Sequence, residues 1–405
     1  MRLVRHHLAV ASSSLRLLEW PVANFSYSGT HEIAFSTRGR GMKAVILVGG
    51  EGTRLRPLTC NTPKAIVPIL NRPFLEHLLD YLKRHGVKDA ILAMGYLPDL
   101  IRSCLGDGSQ LGVRLTYLVE ESPLGTAGAV KNAESYLDGP FIVFNGDVIT
   151  EIDLTAMVKW HKEVKPKVSI ALTPVDNPTI YGVVETDAQG MVQRFVEKPS
   201  WDKVTTNMIN AGIYILEPDV LAHIPASTPS MFENYLFPRL LKMGEPILGY
   251  LSNAYWIDIG TPEKYLKANH DLLLKRRLGY VRAEAKSHIH PTAQIEGPVL
   301  IGDGCTISED VRIIGPAVLG RKCEVDKGVL IDGAVLWDGV RVGEASILRN
   351  CVVCTDSYIQ EGCHIPEGCV LGDNVRVESG FEMVNATLIE ADTWLRVHNA
   401  NDITP

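Results

Sequence analysis

From residue 42 to about residue 274, short apolar runs alternate with segments whose apolar residues recur at helical spacing. Residues Lys43–Val48 form an apolar strand that runs into glycines. Residues 73–85 are amphipathic, with Phe74, Leu75, Leu78, Leu79 and Leu82 on one face and Gly86 as the stop. Residues 90–94 read as the next strand, 127–137 as another helix, and 141–144 as a buried strand that ends in Asn145-Gly146-Asp147. This alternation predicts an α/β domain with a mostly parallel sheet and helices on both faces. In such sheets ligands bind beyond the carboxyl ends of the strands. The loop 49–54 and Asp147 both follow strands, so the pattern sets them on one rim.

The C-terminal third has a different period, of six. Ile289, Ile295, Ile301, Ile307, Ile313, Leu319, Val325, Ile331 and Trp337 are evenly spaced, and smaller residues such as Ala293, Cys305 and Ala317 sit two positions before most of them. The period slips near Arg341 and resumes at Ile347, Val353, Ile359, Ile365, Leu371 and Val377, with Ala345, Cys351, Ser357, Cys363, Cys369 and Val375 as small partners. A six-residue period predicts a parallel β-helix over 286–380, one hexad per face and three per coil. The pattern resembles the left-handed hexapeptide-repeat proteins. Residues 381–405 lose the period and are expected as a C-terminal tail.

Composition narrows the function. A net charge of -7 argues against a nucleic-acid groove or an anionic membrane as the partner, and no apolar run is long enough to span a bilayer. Cys305, Cys323, Cys351, Cys363 and Cys369 fall on the small inward positions of hexads, and Cys351 with Cys354 forms a lone Cys-x-x-Cys without a second pair. Stacking explains them better than zinc, and a reducing, cytoplasmic setting is the simpler expectation. The first 41 residues are rich in arginine and serine and poor in acids, and Met42 directly precedes the first strand. They are expected as a disordered or spurious extension, with 42–275 as the catalytic domain.

The candidate chemistry starts in residues 47–64, where Gly49, Gly50 and Gly52 are followed by Arg54, Arg56 and Lys64. Glycines let backbone N–H groups approach a phosphate, and the cations neutralise it. No Lys-Ser/Thr follows Gly52 at Walker spacing, and Leu55 stands where a dinucleotide loop needs its third glycine. Asp147 and Asp258 each follow a strand, and two carboxylates suit Mg²⁺ on a triphosphate. Glu197 could accept sugar hydroxyls and Lys198 could hold a sugar phosphate. Singly, each feature also fits an ordinary turn, helix cap or surface ion pair.

Together and in this order, the motifs resemble those of the sugar nucleotidyltransferases. The resemblance runs from about residue 42 to 269. It rests on the glycine-rich stretch 47–59, Pro63-Lys64, Asn145-Gly146-Asp147, Tyr181-Gly182-Val183, Glu197-Lys198-Pro199, the strand beginning at Asn210, and Trp256-Ile257-Asp258. It implies a Rossmann-like nucleotidyltransferase fold, with Mg²⁺ on Asp147 and Asp258. Gly49, Gly50, Gly52 and Thr53 would serve the nucleotide, Arg54 and Lys64 the triphosphate, and Gly125 and Thr126 the base. Gly182, Glu197, Lys198 and Asn210 would serve the sugar phosphate. The Pro123-Leu-Gly-Thr-Ala-Gly128 segment and the appended hexads lean towards the members that join GTP to mannose 1-phosphate; Ala65, where those members usually have proline, departs from their pattern.

The reaction so implied is in-line attack of a sugar 1-phosphate on the α-phosphorus of a nucleoside triphosphate, without a covalent intermediate. The alternatives are a thymidylyl- or uridylyltransferase, a bifunctional acetyltransferase using His290 or His364, and a non-catalytic subunit that senses sugar nucleotide. Exposed coil ends predict a homo-oligomer.

Overall fold

The computed structural model describes residues 41–275 and 281–396. The extension expected over 1–41 lies outside these residues apart from Gly41, as does the end of the expected tail. The central sheet is built from β1 (Lys43–Val48), β2 (Asp89–Met94), β3 (Arg114–Val119) and β4 (Phe141–Asn145). A two-stranded ribbon begins with β5 (Val148–Thr150), and the sheet continues through β6 (Val168–Pro174), β7 (Gly182–Thr186), β8 (Val192–Glu197), β9 (Met208–Leu216) and β10 (Ile247–Leu251). Strand β11 (Trp256–Asp258) closes the ribbon by pairing with β5. The spatial order is β8-β7-β9-β4-β1-β2-β3, with β6 and β10 attached beside β9. The half from β4 to β3 is parallel, whereas β9 pairs antiparallel with β4, β6 and β7. The expected parallel sheet is therefore the half that carries the glycine loop, and an antiparallel half adjoins it.

Among the described residues six α-helices flank the strands: α1 (Phe74–Arg84), α2 (Pro98–Leu105), α3 (Gly125–Asn132), α4 (Leu154–Val164), α5 (Phe237–Lys242) and α6 (Pro262–Lys275). Helix α1 buries Leu75, Leu78, Leu79 and Leu82 as its spacing predicts. The helix expected over 127–137 starts earlier, at Gly125, and breaks into α3 and a 3-10 turn at Glu134–Tyr136. Two apolar cores sandwich the sheet. One contains Ala44 and Ile46, the other Val45, Val143 and Tyr214, as expected of strands covered on both faces.

The C-terminal part is a three-faced parallel β-helix, in which two stacks have seven strands and one has five. Ile301, Ile307, Ile313, Leu319, Val325 and Ile331 all point into its core. Leu336, not Trp337, continues the inward row, and Val342 and then Leu348, not Ile347, follow it; Ser346 is buried where Ala345 was expected, and Ala345 is exposed. The cause is two shortened corners. One is at Gly333, with φ 65°, and the other at Asn350, with φ 39°. They make the local coil spacing seventeen residues, as in Val318–Val335–Val352, instead of the eighteen seen between Val352 and Val370. Beyond residue 380, where the sequence period gives out, Leu388–Ile389 and Trp394–Leu395 still extend two stacks.

One outer face of the β-helix joins the catalytic core. Leu300, Val318, Val335, Val352 and Val370 are buried there with Leu58, Val67, Ile69 and Tyr265. Burying each such aliphatic side chain contributes about 1.5–3 kcal/mol. Trp337 points outward into this seam and donates its indole N–H to Tyr265 OH at 2.9 Å. His270 of α6 donates to Gly333 O at 2.8 Å, at one of the short corners.

Candidate active site

The glycine loop leaves β1 and turns at Gly52, whose φ of 69° belongs to the left-handed region. A Cβ there would lie 3.2 Å from both Lys64 Cβ and Thr59 Cγ2, so the loop packs directly on the segment that follows it. Thr59 Oγ1 donates to Gly52 O at 2.8 Å and closes the loop. Leu55 and Leu58 are fully buried and anchor the intervening turn, while Arg54 stays exposed and makes no ion pair among the described residues. Lys64 opens a second 3-10 turn and places Nζ 2.6 Å from Asp147 Oδ2.

The ribbon β5–β11 brings the two aspartates side by side. Asp258 lies opposite Val148, and Ile259 N donates to Asp147 O at 2.9 Å. Asp258 Oδ2 receives Lys264 Nζ at 2.5 Å and Tyr181 OH at 2.6 Å. Burial opposes ionisation of Asp258, but these two hydrogen bonds outweigh it and hold its carboxyl below the usual carboxylate value. The Tyr181 phenol is pushed well up, first by its own burial and then by Asp258. Lys264 sits in the first turn of α6, with Nζ 4.9 Å from the centre of the Tyr181 ring.

A cavity of about 480 Å³ opens on this rim. It gathers Gly49, Gly50, Gly52, Thr53, Arg54, Lys64, Gly125, Thr126 and Asp147 from four separate stretches of chain. Gly125 has a φ of 70°, and a Cβ there would lie 2.7 Å from Ser230 O, so no side chain fits. The Thr126 hydroxyl is committed within the protein, accepting from Phe232 N at 2.9 Å and facing Glu233 at 3.4 Å. Glu120 also lines the cavity; burial pushes its carboxyl up, and it accepts from Leu124 N at 3.0 Å. Asn145 lines the floor, and its side-chain oxygen is buried with no hydrogen-bond partner. An unsatisfied buried acceptor in a cavity wall is a place for a ligand donor.

Gly182, Glu197, Lys198, Asn210 and Asp258 are not among the residues lining this cavity. The first four form a second group on β7, β8 and β9. Gly182 is a strand residue paired with Glu197, and a Cβ on it would lie 2.8 Å from Glu197 Oε2. Lys198 is exposed, has a φ of 45° and lies 3.8 Å from Glu197. Asn210 donates to Tyr214 OH at 2.8 Å, at an irregular stretch of β9. Tyr181 joins the two groups, since its backbone O accepts from Lys198 N at 2.9 Å while its hydroxyl reaches Asp258.

Sequence reasoning missed Glu120, Tyr181, Lys264 and Glu233. Glu120 directly follows a parallel strand, as Asp147 follows β4, so the same rim rule points to it. Glu233 had no such signal. It lies in a single π-helical turn, and burial pushes its carboxyl up, with the nearby Glu197 adding to the effect.

A doubly flanked α/β sheet with a phosphate-type loop, a lysine and two ribbon-held aspartates defines a nucleotide-transferring enzyme. Residues 43–275 match the family model described as nucleotidyl transferase, and the chain belongs to that family. Residues 278–383 match the model described as the EIF2B subunit epsilon LbH domain, in agreement with the left-handed β-helix. Mannose-1-phosphate guanylyltransferase of Mycobacterium tuberculosis is 37% identical over 310 residues, covering 76% of this chain and 83% of that protein. Mannose-1-phosphate guanylyltransferase 1 of Arabidopsis thaliana is 36% identical over 348 residues, covering 83% of this chain and 92% of that protein. A UTP–glucose-1-phosphate uridylyltransferase of Synechocystis is 34% identical over 338 residues, covering 77% and 87%. Among solved structures, HddC from Yersinia pseudotuberculosis complexed with GMP-PN is 33% identical with a TM-score of 0.51, covering 57% of this chain and 100% of that one. The protein is thus a sugar-1-phosphate nucleotidyltransferase.

Proposed function

We propose that the enzyme joins GTP to mannose 1-phosphate, giving GDP-mannose and pyrophosphate. The observation that carries the reading is the single cavity in which the glycine loop, Arg54, Lys64 and Asp147 converge. The names of the guanylyltransferase relatives and the GMP-PN bound to HddC favour guanine and mannose. A sugar-phosphate oxygen attacks the α-phosphorus, forming the new P–O bond as the bond to the β-phosphate bridge breaks. The nucleophile is already anionic, so positioning and charge neutralisation carry the catalysis.

In this reading Gly49, Gly50, Gly52 and Thr53 cradle the triphosphate, with Arg54 and Lys64 as its cations. Gly125 leaves room for the base, and Glu120 is the cavity's carboxylate for base N–H donors. Gly182, Glu197, Lys198 and Asn210 take the sugar phosphate. Asp147 and Asp258 fit Mg²⁺: they are acceptor-only groups at one end of the β5–β11 ribbon, and phosphate oxygens and water would complete a hard cation's shell. Bound there, Mg²⁺ would neutralise charge on the phosphates. Lys64 pairs with Asp147 and Lys264 with Asp258.

The reading includes a division of the chain into a catalytic domain at 42–275 and a β-helix that starts at 286 and carries on past 380, through the expected tail, to Leu395. It also includes a homo-oligomer joined through the β-helix and a cytoplasmic setting. No helix among the described residues is long and apolar enough to cross a membrane. The uridylyltransferase relative supports a second reading, UTP with glucose 1-phosphate. A pyrophosphate-release screen of four nucleoside triphosphates against mannose, glucose and N-acetylglucosamine 1-phosphates separates them. GTP with mannose 1-phosphate is expected to be fastest; a faster UTP–glucose pair would replace the first reading with the second.

A further inference from the structure

The arm that follows the glycine loop is pinned from outside the catalytic sheet. Asn61 Nδ2 donates to Asp373 Oδ2 at 3.2 Å, and the Cys60 thiol donates to Glu390 Oε2 at 2.8 Å. Both carboxylates belong to the last coils of the β-helix. Ten residues further along, Asn71 Nδ2 donates to Leu319 O at 2.7 Å, so this arm runs along the β-helix across several coils.

Asp373 is an unusual anchor. It is 6% exposed and makes no ion pair among the described residues. Its second oxygen accepts from Thr355 N at 3.1 Å. Burial pushes its carboxyl up, and Asp392 and Asp356 add to this, while the hydrogen bonds from Asn61 and Thr355 oppose it. A carboxylate buried among other acids is costly. Here the side chain that meets it from the catalytic domain is Asn61, three residues before Lys64. Thr59, immediately before Cys60, is the residue that closes the loop on Gly52 O. The pins therefore fall between the two groups the site uses, the Gly52 turn and Lys64. None of Glu197, Lys198 and Asn210 shares a hydrogen bond with this arm among the described residues.

We infer that Asp373 and Glu390 are positioning residues for the nucleotide. The last coils of the β-helix hold the arm 59–64 so that the glycine turn and Lys64 face one triphosphate. This rests on the nucleotide reading of the loop, and it gives the β-helix a part in the reaction beyond assembly. Loosening the pin misplaces the triphosphate cations and leaves the sugar-phosphate group as it was.

The test uses the full chain and measures pyrophosphate release while each substrate is varied, with thermal unfolding alongside. Asp373→Ala is expected to raise the nucleotide KM about tenfold and leave the sugar-phosphate KM within about twofold. Asn61→Ala is expected to do the same, and the double variant to be no worse than either single one, because both remove one contact. Asp373→Asn keeps an acceptor for Asn61 and is expected to restore most of the nucleotide affinity. Asp392→Asn, stacked on Asp373 in the next coil but bonded to Asn374 instead of the arm, should match the wild type. An unchanged nucleotide KM in Asp373→Ala overturns the inference, as do additive losses in the double variant or an equal rise in both KM values. Should Asp373→Ala not fold, Asn61→Ala carries the same comparison. A wild-type protein inactive with every substrate pair would instead remove the nucleotide reading itself.

Discussion

Lys64 and Asp147 form the closest charge pair of the cavity, and each is meant for a different ligand: the lysine for a phosphate, the carboxylate for a cation. Asp147→Ala should cut turnover by about 10²–10³ while circular dichroism shows an unchanged fold. Near-wild-type turnover would take Asp147 out of the chemistry. Glu233 gives a prediction about stability. Its folded-state pKa is raised by burial, so the unfolded chain ionises first as pH rises. Its contribution is neutral below the ordinary value of 4.5 and becomes destabilising as pH climbs above it. Glu233→Gln should therefore flatten the fall in urea stability between pH 4.5 and 7 and be the more stable protein at pH 7. If the two proteins show parallel pH profiles, Glu233 is not held in this way.

Among the elements, β9 and the β-helix show where a regular pattern has to bend. Strand β9 shifts register between Asn210 and Tyr214, and Gly212 within that shift has a φ of 73°. A Cβ on Gly212 would lie 2.5 Å from the Asn145 amide, beside the unsatisfied Asn145 oxygen. Gly212→Ala should cost about 1–3 kcal/mol, lower the melting temperature by several degrees and displace Asn145, with a matching loss of activity. A variant that melts with the wild type would show that the bend tolerates a side chain. Regular elements such as β1 and α1 were readable because one apolar period covers the whole element. The bend at Gly212 and the corners at Gly333 and Asn350 were not, since each is a single-residue departure that the pattern on either side conceals. The same limit moved Trp337 and Ile347 off the inward row of the β-helix.

At the scale of the molecule, the β-helix and the catalytic domain share one core through Leu300, Val318, Val335, Val352 and Val370. Val335→Asp buries an unpaired carboxylate in that seam and should destabilise the protein by about 3 kcal/mol or more. Tyr358→Asp, on an exposed face, should leave the melting temperature nearly unchanged. Equal melting of the two variants would mean the seam is not part of the cooperative unit. The two architectures, the rim and most of the loop chemistry were legible along the chain, because periodicity and glycine–cation spacing are local properties. It took the folded chain to show that Asp258 is tied to Tyr181, that Glu233 is buried near Glu197, and that Asp373 reaches Asn61. Those contacts join residues far apart in the chain, and no local pattern encodes which distant side chain will meet another.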